Sequence, residues 1–265
     1  MNEQSKSRPR TKRTLSNEEV IRLYNMGKRT EDIAKKANVS ARYIRMILKK
    51  ENISKRPHGS WKRRYTVNED YFKTWSNNMA YILGFFAADG IVPKDIQSIS
   101  IAQKEKRILE KIKLEMKSNH PIIQSKTTKI YILTLNSKIM KTDIMELHNI
   151  KPKKSLDLKF PHVPKQYLSH FVRGYFDGDG CIYEQKEFVN IVGGSLNFME
   201  SLFDILVIKR IEPIFKSFDT HYRLYISGYE NVKRFSDWIY KDKGLYLERK
   251  YIRFTENRLY EIENK

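Results

Sequence analysis

Two aspartates, Asp89 and Asp179, close two ten-residue segments that are copies of each other, YILGFFAADG (81–90) and FVRGYFDGDG (171–180). In both, an apolar run with helical patterning ends in Asp-Gly, so the carboxylate falls in the last turn of a helix. That is the negative end of the helix dipole, where an exposed acid costs about 0.3–1 kcal/mol. In a chain of formal net charge +20, acids placed there call for a reason. Gly84 and Ala88 in one copy, and Gly174 and Gly178 in the other, stand four apart. Small residues therefore line one face of each helix and let two backbones approach closely. If the helices pair through these faces, parallel and about a two-fold axis, their C-termini converge with Asp89 and Asp179. A cation between the acids relieves the repulsion. Oxygen-only ligands, the two carboxylates with the backbone at Gly90 and Gly180, suit a hard ion such as Mg²⁺, or Mn²⁺.

A single DGDG also fits a tight turn with solvated acids, but the duplication argues against that. An EF-hand loop fails on spacing: Cys181 and Ile182 stand where Asp/Asn and Gly are needed, and Phe188 where the closing Glu belongs.

The elements around these segments are repeated too. After each copy come a strand-like stretch (DIQSISIAQ, then EFVNIVGG), a helical pattern (EKRILEKIKLEMKS, then NFMESLFDILVIK), alternating strands (HPIIQSKTTKIYILTLNS, then EPIFKSFDTHYRLYISG) and another helix (SKIMKTDIMELHN, then ENVKRFSDWIYK). Each half reads αββαββα, so the expected body is α+β with two pseudo-symmetric repeats, 73–160 and 161–265.

Ahead of the repeats, residues 1–67 carry a net charge of +13 against +7 for the remainder. That imbalance points to a polyanion, and nucleic acid is the expected partner. Residues 1–15 read as a basic disordered arm. In 16–50, Ser16 and Glu19 make a capping-box pattern for a first helix that Gly27 closes, Thr30 is expected to cap a second, and Ser40 a third after a turn at NVS. The stretch resembles a helix-turn-helix, with Arg42, Tyr43, Arg45 and Lys49 facing outward from the recognition helix. A three-helix bundle for protein contacts is the other reading. Residues 51–72 read as a basic linker in which Lys62, Arg63 and Arg64 could track a DNA backbone.

The longest apolar stretch, Met79 to Ala88, is about half a membrane span, and the start is polar and basic. Cys181 is the only cysteine, so there is no disulfide framework and no cysteine-based zinc site. A cytoplasmic protein, bacterial or phage-encoded, is the expectation.

The segments ILGFFAADG and VRGYFDGDG resemble the two motifs of the LAGLIDADG homing endonuclease family in its single-chain form, over about Trp75 to Phe254. The resemblance implies a saddle of two sheets straddling double-stranded DNA, with a long pseudo-palindromic target and a monomeric protein. It also implies Mg²⁺-dependent phosphodiester hydrolysis on both strands, leaving short 3′ overhangs. Asp89 and Asp179 match the metal-binding acid. Lys154 and Lys250 match the basic residue that supports the attacking water or the phosphate charge, and Gln103 matches a polar residue that positions the water. The motif's other acid, structural in the family, is Asp177 in the second copy and Ala87 in the first. Gly194 stands as the second-repeat counterpart of Gln103, so the half-sites are expected to differ in efficiency.

Further DNA contacts are expected from outward strand residues: Gln97, Ser98, Ser100, Lys126, Lys129 and Tyr131 in the first repeat. In the second they are Tyr183, Gln185, Lys186, Asn190, Lys216, His221 and Arg223. The chain begins at Met1 and ends IENK, without the residues of intein splice junctions, which implies a free-standing or intron-encoded mobile-element enzyme. A non-cutting transcriptional regulator or an intron RNA maturase on the same fold are the alternatives; the retained Asp89 and Asp179 speak against the regulator.

Overall fold

The computed structural model describes residues 13–54, 64–183 and 187–256, in two compact units that divide after Arg64. Lys62, Arg63, Gln185 and Lys186, expected as DNA contacts, lie outside the described residues, as do the arm up to residue 12 and linker residues 55–63.

The first unit holds three helices, α1 (Asn17–Asn25), α2 (Thr30–Ala37) and α3 (Ala41–Lys50). The capping box forms: Glu19 N donates to Ser16 Oγ at 3.2 Å and Ser16 N to Glu19 Oε2 at 3.4 Å. Gly27 follows α1 at φ 86°, a left-handed value that a residue with a Cβ resists. Ser40 caps α3 through Tyr43 N. Thr30 does not cap α2; it is the helix's first residue, and Arg29 occupies the cap position without a side-chain bond. Val20, Ile33, Ala37 and Ile44 close the core.

The second unit runs one course of elements twice. The first passage is α4 (Asn77–Asp89), β1 (Gly90–Ile91), β2 (Ile99–Gln103), α5 (Lys106–Glu115), β3 (Ile122–Gln124), β4 (Tyr131–Leu135) and α6 (Lys138–Glu146). The second is α7 (Leu168–Asp179), β5 (Gly180–Ile182), β6 (Phe188–Gly193), α8 (Leu196–Ile208), β7 (Ile214–Ser217), β8 (Tyr222–Ser227) and α9 (Tyr229–Tyr240). A further helix, α10 (Glu248–Glu256), follows. Residues 66–72, read as linker, are built into this unit: Asn68 N donates to Met116 O at 2.9 Å, and Phe72 is buried.

Each passage forms a four-stranded antiparallel sheet, in the orders β1-β2-β4-β3 and β5-β6-β8-β7. Alternation sends Ile99, Ile101, Leu133 and Leu135 of one sheet, and Val189, Ile191, Leu224 and Ile226 of the other, into a shared core. The paired helices α4 and α7 run through that core. Every residue of α4 from Met79 to Ala87 is buried, which explains why its sequence is apolar all round.

Their contact is reciprocal. A Cβ built on Gly84 would lie 1.9 Å from Phe171 O, and one built on Gly174 would lie 2.0 Å from Tyr81 O. Phe171 and Tyr81 each stand three residues before the glycine of their own helix, so the two contacts are the same contact, exchanged. At the C-terminal end a Cβ on Gly178 would lie 2.3 Å from Ala88 Cβ. The two-fold pairing expected from the small-residue faces is realised, and it brings both Asp-Gly ends together. Among the described residues no helix is long and apolar enough to cross a membrane.

Candidate active site at the paired helix ends

Asp89 and Asp179 are the last residues of α4 and α7. Burial, and then the neighbouring Asp179, push the Asp89 carboxyl up to about 6. Burial raises Asp179 as well, against the pull of Lys154 and Lys250. Two carboxyls that resist ionisation because they are desolvated and close to each other are what the converging helix ends imply.

The lysines reveal how the negative helix ends are tolerated. Lys154 Nζ donates to Ala87 O at 2.6 Å and Ala88 O at 2.9 Å. Lys250 Nζ donates to Phe176 O at 2.6 Å, Asp177 O at 2.7 Å and Gly180 O at 2.6 Å. Each lysine thus caps the motif helix of its own repeat, satisfying carbonyls that a helix end leaves open. Each also faces the acid of the other repeat: among the lysines, Lys154 acts most strongly on Asp179 and Lys250 on Asp89. Burial brings Lys250 down to about 8, so it is still mostly ammonium at neutral pH, and burial lowers Lys154 too.

These bonds refine the expected roles. An ammonium has three N–H groups, and Lys250 spends all three where α7 ends and β5 begins. It acts on the site through its charge and leaves no donor for a water or a phosphate. Lys154 spends two. Gly180 O, expected as a metal ligand, instead accepts from Lys250, and an ammonium on that oxygen disfavours a second cation there. Gly90 opens β1 opposite Ile101. Among the described residues no group of three or more His, Cys, Asp and Glu side chains assembles, so the acidic donors are Asp89 and Asp179 alone.

Gln103 ends β2 on its inward face, where Nε2 donates to Asp89 Oδ2 at 3.0 Å and Oε1 accepts from Lys104 N at 2.7 Å. Its second-repeat counterpart is Gly193, not Gly194. Gly90 pairs with Ile101 and Gly180 with Ile191, so two residues further along stand Gln103 and Gly193. The expectation was one residue out because the strand register could not be counted from the repeat alignment.

Asp177 is fully buried, accepts from Tyr81 Oη at 2.8 Å and Leu247 N at 2.7 Å, and is raised to about 6, chiefly by burial. Beside it Arg173, also fully buried, donates to Leu245 O at 2.9 Å and Ile239 O at 2.6 Å and lies over the Tyr81 ring. Leu83 and Ala87 occupy these places in the first repeat. Arg173 was not singled out from the sequence; its polarity on a buried helix face was the available signal.

Of the expected DNA contacts, Ser98 is 2% exposed and Asn190 5% exposed, so neither side chain is presented to a ligand. Both have the outward strand parity, but both are buried. Gln97, Lys126, Lys129 and Tyr183 are exposed. Ser100 Oγ is bonded to Thr134 Oγ1 at 2.9 Å, and Tyr131 shares the inward parity of Leu133. On the second sheet Lys216 and Arg223 are direct register partners on the outward face, with Arg223 Nε donating to His221 Nε2 at 3.0 Å. Like charges opposite each other repel, and an anion laid across them reverses the sign. In the first unit Arg42, Tyr43, Arg45 and Lys49 are on the exposed face of α3, with Arg45 held by Glu31 at 3.3 Å.

Comparison with known proteins places this arrangement. The chain is 26% identical over 172 residues to the probable translation initiation factor IF-2 of Methanocaldococcus jannaschii, a match covering 59% of this chain and 14% of that protein. It is 33% identical over 72 residues to elongation factor 2 of Methanopyrus kandleri, covering 27% of this chain and 6% of that one. The chain therefore spans only a small part of the length of these curated relatives. Among solved structures, the homing endonuclease I-WcaI bound to its DNA recognition sequence matches with a TM-score of 0.48 and 16% identity, over 77% of this chain and 96% of the other. Full-length WhiA of Thermatoga maritima matches with a TM-score of 0.48 and 16% identity, over 75% of this chain and 65% of that one. The family model of the LAGLIDADG-like domain matches residues 76–139 and 166–240, one block for each repeat. With more than half of its residues inside that model, this chain belongs to the LAGLIDADG family.

Proposed function

We propose that this protein is a site-specific endonuclease that hydrolyses both strands of double-stranded DNA with Mg²⁺ or Mn²⁺ and leaves 3′ overhangs. The observation that carries the reading is the convergence of Asp89 and Asp179 at two helix ends, desolvated and repelling each other. A protein that only binds DNA gains nothing from that arrangement. A divalent cation removes the repulsion, and two carboxylates completed by water and phosphate oxygens fit its preferences. When bound, the cation supplies water activation and charge neutralisation at the leaving 3′ oxygen.

The chain's own groups do the remainder. Asp89 and Asp179 hold the cation. Gln103 fixes the Asp89 carboxylate and keeps its second amide hydrogen for the site. Lys154 and Lys250 hold positive charge beside the acids, where the phosphate's charge grows during attack. The sheet face carrying Lys216 and Arg223, with the exposed Lys126 and Lys129, binds the duplex on either side of the scissile phosphates. The first unit adds helix-turn-helix contacts through Arg42, Tyr43, Arg45 and Lys49. Two repeats in one chain supply the pseudo-two-fold symmetry, so the enzyme acts as a monomer on a long pseudo-palindromic target, in a mobile-element role.

The test is to incubate the purified chain with a genomic or randomised DNA library in Mg²⁺ and, separately, in EDTA. Recurrent double-strand breaks at one sequence, present only with Mg²⁺, support the reading. Specific binding without cleavage replaces it with a regulator, and preference for structured RNA replaces it with a maturase.

A further inference from the structure

The two half-sites are built from different parts. Beside Asp89 the strand supplies Gln103, an amide whose Nε2 donates into the site while its oxygen accepts from Lys104 N. At the matching strand position the second repeat has Gly193, and a side chain there is impossible without rearrangement. A Cβ on Gly193 would lie 2.5 Å from Met199 Sδ and 2.8 Å from Tyr175 Oη. The space that the Gln103 side chain enters in one repeat is thus reached, in the other, by a hydroxyl carried on helix α7. Tyr175 stands where the first repeat has Phe85, so the hydroxyl is the one polar addition at this position.

Tyr175 lines a small pocket together with Asp179, Lys154, Ser155 and Ser195. Its hydroxyl donates its proton to Val192 O at 3.0 Å, so towards any other partner it can only accept. Burial, and then Asp179 and Asp89, hold the phenol well above its ordinary range, so it stays neutral. The ring is fixed from behind by Phe198, with centroids 4.4 Å apart. Lys154 has the N–H group that Lys250 lacks.

We propose that the Tyr175 hydroxyl orients the water of the Asp179 half-site by accepting a hydrogen bond from it. It takes the place of Gln103, which serves the Asp89 half-site by donating. The inference rests on the nuclease reading. The two sites then hold their waters by opposite hydrogen-bond polarity, and each strand of the target depends on a different residue.

The experiment uses the full chain and a cleaved target labelled separately on each strand. Tyr175→Phe keeps the ring against Phe198 and removes only the oxygen. It is expected to slow nicking of one strand about tenfold or more while leaving the other within twofold, and Gln103→Ala is expected to show the reverse strand preference. DNA affinity measured in Ca²⁺ should be the same for Tyr175→Phe and the unmodified chain. As a readout independent of cutting, the protein is labelled with 3-fluorotyrosine, and the Tyr175 resonance, identified by its loss in Tyr175→Phe, should move when target and Ca²⁺ are added together. Equal slowing of both strands, slowing of neither, or a Tyr175 resonance that stays in place overturns the proposal. Failure of the unmodified chain to cut either strand overturns the nuclease reading, and this inference with it.

Discussion

Asp177 is held by Lys250 and by Leu247, the residue three places before that lysine. The Lys250 ammonium donates to the main-chain oxygen of Asp177 at 2.7 Å, and the Asp177 carboxylate accepts from Leu247 N at 2.7 Å. Helix α10 is thereby bolted to the end of α7, and the residue carrying positive charge to the candidate site is also what closes the helix that presents Asp179. The first repeat has half of this device: Lys154 caps α4, but Ala87 replaces the acid.

Lys250→Met should therefore be a stability mutation before it is a catalytic one. It leaves the carbonyls of Phe176, Asp177 and Gly180 buried without a donor. The expected loss is about 3 kcal/mol, read as a lowered midpoint in urea unfolding. Activity measured below that midpoint should fall further than the unfolded fraction explains.

Gly84→Ala should disrupt the helix pair more severely than an ordinary core change. The added methyl would meet Phe171 O at 1.9 Å, and backbone cannot turn aside as a side chain can. The expected outcome is a loss of more than about 3 kcal/mol or failure to fold, checked by circular dichroism and thermal melting. Gly228→Ala, with nothing within 4 Å of the new atom but a φ of 85°, should cost less, about 1 kcal/mol.

In EDTA, Asp89→Asn should stabilise the protein at pH 7.5 and do little at pH 3.5. The Asp89 carboxyl is raised from 3.8 to about 6 in the folded chain, so its favourable contribution is complete below 3.8 and lost as pH rises through about 6. Ionised at pH 7.5 and without a cation, it opposes folding by on the order of 1–2 kcal/mol. Thermal melts of both proteins at the two pH values check the sign. Added Mg²⁺ should raise the melting temperature of the unmodified chain and leave Asp89→Asn nearly unmoved.

His170 should act in the opposite sense. Burial, then the Arg173 guanidinium beside it, lower the imidazole from 6.5 to about 4. Its contribution is complete above 6.5 and is lost as pH falls toward 4. His170→Gln is expected to flatten the fall in melting temperature between pH 6.5 and 4.

The repeat, the helix order and the parallel pairing of the motif helices were all legible in the sequence, because Gly84, Ala88, Gly174 and Gly178 mark one face at helical spacing and strand alternation marks the rest. The site was legible as far as residue type and local spacing reach: Asp89, Asp179 and Gln103 meet where expected. What lay beyond it depends on long-range geometry. That Lys250 spends every donor on Phe176, Asp177 and Gly180, that Gly193 rather than Gly194 corresponds to Gln103, and that Ser98 is buried are facts of register and burial. Helix α10 was missed because its short charged sequence, ERKYIRFTE, gains its partners at long range, with Lys250 on Phe176 O and Phe254 against the Phe176 ring.

The most direct test of the account is strand-resolved cleavage of the target in Mg²⁺ by the unmodified chain, Asp89→Asn and Asp179→Asn, with DNA affinity measured alongside in Ca²⁺. The account predicts double-strand breaks by the unmodified chain alone, with each variant losing cleavage by at least about a hundredfold while still binding the target. Undiminished cutting by either variant, or binding by all three with no cut by any, would contradict it.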